Sequence, residues 1–234
     1  MIFVLTEMIN AFSNINPQDY IQDSGPMYHE FHADAWIHEP WNAFSSLFFL
    51  IPVIFWIWKL RGQYMRYPMI TIFLPFLFLN GIGSTVYHAF RASDIALLLD
   101  WLPAFIMNLI LCWYMWNKVL RKPFLSGLVV LGFITATFFM MALHAPGMGD
   151  LAANLAYLMI GLCLLTPSFI YLYRTRFYKW HLLILTFVAL GIALLFRSLD
   201  YPTPNPFPEI LPQGTHFLWH MVSALAVFSL GFYF

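Results

Sequence analysis

The chain is predicted to be an all-α membrane protein, a bundle of seven transmembrane helices with its amino terminus outside the cytoplasm and its carboxyl terminus inside. Three observations predict this. Of 234 residues, 61% are hydrophobic and 9% are charged, whereas a soluble domain of this size carries about a quarter charged residues. Apolar runs recur along the chain, each near the ~20 residues that cross a bilayer. The runs are continuous rather than alternating, which fits helices and not the ~10-residue strands of a membrane barrel.

Taken in order, residues 1–41 form an acidic arm and residues 42–234 the membrane domain. The arm opens MIFVLTEMINAFSNINP. It lacks a basic leader, and Glu7 and Asn10 break its apolar stretch, so it does not read as a signal peptide. Seven spans follow, at Asn42–Trp58, Pro68–Phe90, Ile95–Trp116, Phe124–His144, Leu151–Tyr173, Trp180–Ser198 and Thr215–Phe234. Most connections are short. The loop DYPTPNPFPEILPQG before the last span is the exception, too long to be a mere turn. Cys112 and Cys163 fall inside apolar runs and read as small core residues.

Charge orients the bundle. The loops after spans one, three and five carry Lys59, Arg61, Arg66, Lys118, Arg121, Lys122, Arg174, Arg176 and Lys179, nine of the eleven basic residues. The arm has no Lys or Arg but holds Glu7, Asp19, Asp23, Glu30, Asp34 and Glu39. Basic loops stay in the cytoplasm, so the arm is expected outside. Nothing in this distribution points to nucleic acid, and no protein partner is expected.

Polar groups inside such spans are costly and usually functional. Ser84 and His88, four apart in GSTVYHAF, share one face near the outer end of span two. Asp100 lies near the outer start of span three, in LLLDWLP. His216 and His220, four apart in GTHFLWH, share a face at the outer start of span seven. Three distant stretches therefore meet at one depth. Each has a plain structural reading: a hydrogen-bonded histidine, a serine bonded to its own helix, an ion pair of Asp100 with Arg91 or Arg197. Together they point to a metal. Three histidines without thiolates suit zinc with one open position, the catalytic pattern. A carboxylate can take a proton from a water there, and a hydroxyl can donate to a developing oxyanion. Those are the parts of a hydrolase for an amide or ester.

Ser84-x3-His88, Asp100 and His216-x3-His220, in this order on spans two, three and seven, resemble the signature of alkaline ceramidases, part of a wider seven-helix superfamily. HEPWNAFSSLFFL resembles the ceramidase stretch entering span one. The matches run from about Tyr28 to His220. The resemblance implies zinc on His88, His216 and His220, Asp100 as general base and Ser84 as oxyanion stabiliser. It implies hydrolysis of the amide of ceramide, or of a ceramide-like N-acyl membrane lipid, to a long-chain base and a fatty acid. It implies a bacterial member, and with the orientation read from the loop charges this gives an inner-membrane protein whose active site lies toward the periplasmic face. Animal members carry a calcium site in an amino-terminal Asp-Trp-Cys-Glu-x-Asn segment plus a later Glu. Here the matching stretch reads MYHEFH, with Tyr28, His29, Met27 and His32 in place of Trp, Cys, Asp and Asn. Glu30 and Glu39 remain, and Asp23 and Asp34 could add oxygens, so these four are the candidate calcium donors. Arg197 and Asp200, at the outer end of span six, are candidates for positioning a headgroup or for an outer-face ion pair.

Three alternatives stand beside this. One is an ester or phospholipid acyl hydrolase on the same groups. Another is a receptor-like lipid-binding protein with structural zinc. A transporter would need polar residues reaching the inner face, and these cluster at one side.

Overall fold

The computed structural model describes residues 21–142 and 151–234, with backbone alone at 141 and 151–157. The first twenty residues of the arm, Glu7 and Asp19 among them, and the expected end of span four at His144 lie outside the described residues. The described residues are helical, with no strand. We number the helices α1 (Pro40–Lys59, with a 3-10 turn at Leu47–Phe49), α2 (Pro68–Phe90), α3 (Asp94–Leu120), α4 (Pro123–Ala142), α5 (Leu151–Arg174), α6 (Trp180–Ser198) and α7 (His216–Tyr233).

Among the described residues, six helices, α1 to α4, α6 and α7, are long and apolar enough to cross a membrane. This is a multi-pass integral membrane protein. Its polarity is inverted relative to a water-soluble fold. Ile54, Phe78, Leu128, Phe138, Val188 and Leu195 are exposed, while Ser46, Asn80, Ser84, Thr186 and Ser229 are buried. Lipid solvates the former, and the latter find partners inside, as Thr186 and Ser229 do on each other at 2.9 Å.

The helix ends follow local chemistry. α1, α2 and α4 begin at proline, whose missing N–H is no loss in a first turn. α2 stops where Arg91 turns left-handed (φ 45°). α3 runs past the expected Trp116 to Leu120, through residues that tolerate helix, and ends before Arg121 at φ 56°. Pro75, Pro103 and Pro167 sit inside helices, where neighbouring groups can re-satisfy the freed carbonyls.

The chain divides into two compact units. One comprises residues 105–183, where α4 packs on α5. Its core holds Cys112, Val130 and Cys163, flanked by Trp116 and Phe133. Trp116 Nε1 donates to the Cys163 carbonyl at 2.9 Å, and Arg174 donates to the Val119 carbonyl at 2.5 Å. The other unit comprises residues up to 104 together with 184–234. In it α1 packs between α2 and α7, and all the candidate site residues lie in this unit.

α2 and the first turns of α3 approach closely there. Pro103 has no N–H to give the Leu99 carbonyl, and that carbonyl abuts Gly83. A Cβ on Gly83 would stand 2.5 Å from the Leu99 oxygen. One turn below, Asn80 Nδ2 donates to the Asp100 carbonyl. The two contacts hold Leu99 and Asp100 against the Asn80–Gly83 turn of α2, the turn that precedes Ser84.

Candidate metal centre

His88 comes from the last turn of α2, and His216 and His220 from the first two turns of α7. All three are buried, with one ligand atom of each within 4.8 Å of the others. Their ring centroids are 5.2 Å (His88–His216), 5.0 Å (His88–His220) and 4.7 Å (His216–His220) apart. Three buried imidazoles in this cluster could hold a metal ion. Among the described residues no other cluster of histidine, cysteine or carboxylate does so.

Bonded outer nitrogens fix the tautomers of His88 and His220. His88 Nδ1–H donates to Glu39 Oε2 at 2.5 Å, because a carboxylate only accepts. Its Nε2 is buried and has no partner. His220 Nδ1 lies 3.1 Å from the Asn42 carbonyl, which also only accepts, so the proton is on Nδ1 and the Nε2 lone pair is free. Ser45 and Ser46 reinforce this. Both hydroxyls donate to the Asn42 carbonyl, at 3.0 and 2.8 Å, and both oxygens lie near His220 Nδ1, at 2.9 and 3.2 Å. His216 Nδ1 is also buried without a partner. A ligating histidine is normally held this way, its second nitrogen bonded to a carboxylate or carbonyl. The unpartnered inner nitrogens fit a cation, which would satisfy them at once.

Ser84 is buried and 2.8 Å from Ser46 Oγ. With the Ser46 proton on Asn42, Ser84 is the donor in that bond. It therefore sits one hydrogen bond from the His220 support. Asp100 is half-buried and stands outside the ligand cluster. The Tyr28 ring covers the histidines, its centroid 4.0 Å from His216 and 5.2 Å from His88. Burial pushes the Tyr28 phenol above its usual range, and Asp100 is the charge that adds most to this. The plain structural alternative for Asp100, an ion pair with Arg91 or Arg197, is not formed. Arg91 pairs with Asp23 and Glu39, and the Arg197 guanidinium lies 5.4 Å from the Trp219 ring.

The arm folds back on the site. His38 N–H and Glu39 N–H donate to the carbonyls of Ala89 and His88, at 2.9 and 3.1 Å. Glu30 caps α1 from a distance. Its carboxylate accepts the N–H of Trp41 and, at 2.8 Å, that of Asn42. Burial raises the Glu30 carboxyl to about 7, against those two amides, which lower it. Asp200 does the same for α7. Oδ2 accepts Thr215 N–H at 2.7 Å and His216 N–H at 2.8 Å, and Oδ1 accepts Tyr201 N–H at 2.8 Å and His29 N–H at 3.1 Å. Gly214 reaches this carboxylate at φ +82°. Asp200, one of the candidate headgroup residues, is thus committed to backbone and forms no ion pair with Arg197. Of the candidate calcium donors, Asp23 and Glu39 meet at Arg91, the Glu30 carboxylate caps α1 and Asp34 is exposed.

The sequence reading missed Glu39 as the partner of His88, the Asn42–Ser45–Ser46 support of His220 and the Tyr28 cover. One signal was present: Asn42, Ser45 and Ser46 lie at i, i+3, i+4, one polar stripe on an apolar helix.

No protein family model matches the sequence, and no curated protein matches it.

Proposed function

We propose that the chain is a zinc-dependent intramembrane hydrolase that cleaves the amide of a ceramide-like N-acyl lipid to a long-chain base and a fatty acid. The observation that carries the reading is the cluster of three buried histidines, one ligand nitrogen of each within 4.8 Å of the others, with His88 Nδ1 bonded to Glu39 and His220 Nδ1 to the Asn42 carbonyl. Imidazole ligands without thiolates favour zinc, and three of them leave a position for water. Zinc held there supplies Lewis acidity and an acidified water near pH 7.

The protein groups supply the rest. Asp100 accepts the proton of the attacking water and returns it to the leaving amine. Ser84 exchanges its bond to Ser46 for one to the substrate oxygen as negative charge develops there. Tyr28 and the arm keep bulk water from the histidines. The lipid approaches from the bilayer, with its acyl chain against the apolar helix faces. The resemblance to alkaline ceramidases supports the substrate class, and the Ser84–Asp100 pair favours an enzyme over a binder, which gains nothing from a base.

In this reading all seven helices cross the membrane. The arm and the metal site face outward, the periplasmic side of a bacterial inner membrane, and the basic loops after α1, α3 and α5 lie in the cytoplasm. The test is turnover of a panel of N-acyl and O-acyl lipids by purified protein and by Asp100→Asn. Release of fatty acid from the amide lipids, lost by at least 100-fold in the variant with zinc retained, is the expected result. Turnover of none of the panel, or equal turnover by the variant, refutes it.

A further inference from the structure

Arg91 has the largest side chain among the fully buried residues, and nothing in the proposed chemistry uses it. It follows the last turn of α2 in a left-handed conformation, three residues after His88. Its Nε and Nη2 donate to the two oxygens of Asp23 at 2.9 and 2.8 Å. Its Nη1 donates to Glu39 Oε1 at 2.6 Å. The other oxygen of that carboxylate, Oε2, holds His88 Nδ1. The guanidinium also faces the rings of Tyr87 and Tyr28, at 4.8 and 5.9 Å. Both ion pairs are sealed from solvent.

We infer that Arg91 is a built-in cation that positions His88 through Glu39 and fastens the arm over the metal centre. The inference rests on the proposed metal reading of the three histidines. Two buried carboxylates without a counter-charge would be strongly unfavourable. A guanidinium presents several donors in a fixed plane, so it can grip Asp23 with one edge and Glu39 with another. That grip fixes the Glu39 carboxylate in rotation, and the fixed carboxylate fixes the His88 ring. A calcium ion on the same oxygens needs six to eight oxygen ligands. The oxygens of Asp23 and Glu39 are instead spent on guanidinium and imidazole donors, and those of Glu30 on backbone amides. In this chain the arginine takes the place of the calcium that the ceramidase resemblance implies.

The test is the zinc affinity of detergent-purified full-length protein, by chelator competition, for the parent, Arg91→Ala and Asp23→Asn, with and without millimolar guanidinium or calcium. Loss of an outer-shell partner typically weakens a metal by 10–100-fold. That loss is expected for Arg91→Ala, with recovery in guanidinium, and a smaller loss for Asp23→Asn, which keeps the Arg91–Glu39 bond. The parent should be indifferent to calcium. Rescue by guanidinium is not expected of a side chain that only fills space. Parent-like zinc affinity in Arg91→Ala, or a calcium requirement in the parent, overturns the inference. If Arg91→Ala does not fold, unchanged affinity in Asp23→Asn overturns it. A parent that binds no zinc refutes the metal reading itself, a separate result.

Discussion

Replacing Asp200 by asparagine tests how the start of α7 is held. The carboxylate accepts four backbone N–H groups, two on each oxygen. An asparagine has one accepting oxygen and one NH2 group. Whichever way the amide turns, two backbone donors are left facing a donor. A buried unsatisfied donor costs about 1–3 kcal/mol, so the substitution costs about 2–6 kcal/mol. Loss of negative charge at a helix amino terminus adds about 0.3–1 kcal/mol. One of the four donors is the N–H of His216 itself, so fraying the first turn moves a proposed ligand. The assay is thermal unfolding in detergent together with zinc competition. Asp200→Asn should melt several degrees lower and bind zinc at least tenfold more weakly. Glu209→Gln, an exposed carboxylate in the same loop, is the control. If Asp200→Asn matches the control in both measurements, the reasoning fails.

Three further expectations follow from the same geometry. Gly83→Ala drives a Cβ against the Leu99 carbonyl, a backbone atom that cannot swing aside. It should cost about 1–3 kcal/mol by overpacking and lower turnover while zinc stays bound, whereas Gly191→Ala, with open space around it, should melt like the parent. Glu30 keeps its proton to about pH 7 in the folded protein, from an ordinary value of 4.5. The folded state therefore holds the proton that the unfolded chain has released, and stability falls as pH rises from about 4.5 to 7. Glu30→Gln should flatten that part of the melting-temperature profile, and a parent profile that rises across it would contradict the assignment. Removing the metal with a chelator should abolish lipid turnover and zinc should restore it, and turnover that survives complete removal would refute the metal's role.

The helices were legible in the sequence because an apolar run of membrane length has few other uses. Their ends were less so. α3 outran its expected end because Asn117 and Lys118, which interrupt the hydrophobic run, are acceptable in a helix. The histidine cluster was legible because i, i+4 spacing and loop charges put His88, His216 and His220 at one depth. Their supports were not. Glu39 and His88 are 49 residues apart, His220 and Ser45 are 175 apart, and His29 and Asp200 are 171 apart. No periodicity connects such pairs. The acidic arm read as cation-binding because the sequence does not reveal that Arg91 turns inward at the end of α2 to meet Asp23 and Glu39, or that Glu30 caps α1.

The central claim is that three histidines hold one catalytic metal. It is tested most directly by zinc per chain, by elemental analysis of the detergent-purified parent and of His220→Ala. About one zinc in the parent and little in the variant is the predicted result. A folded parent with no zinc, or a variant that keeps its zinc, would contradict the account.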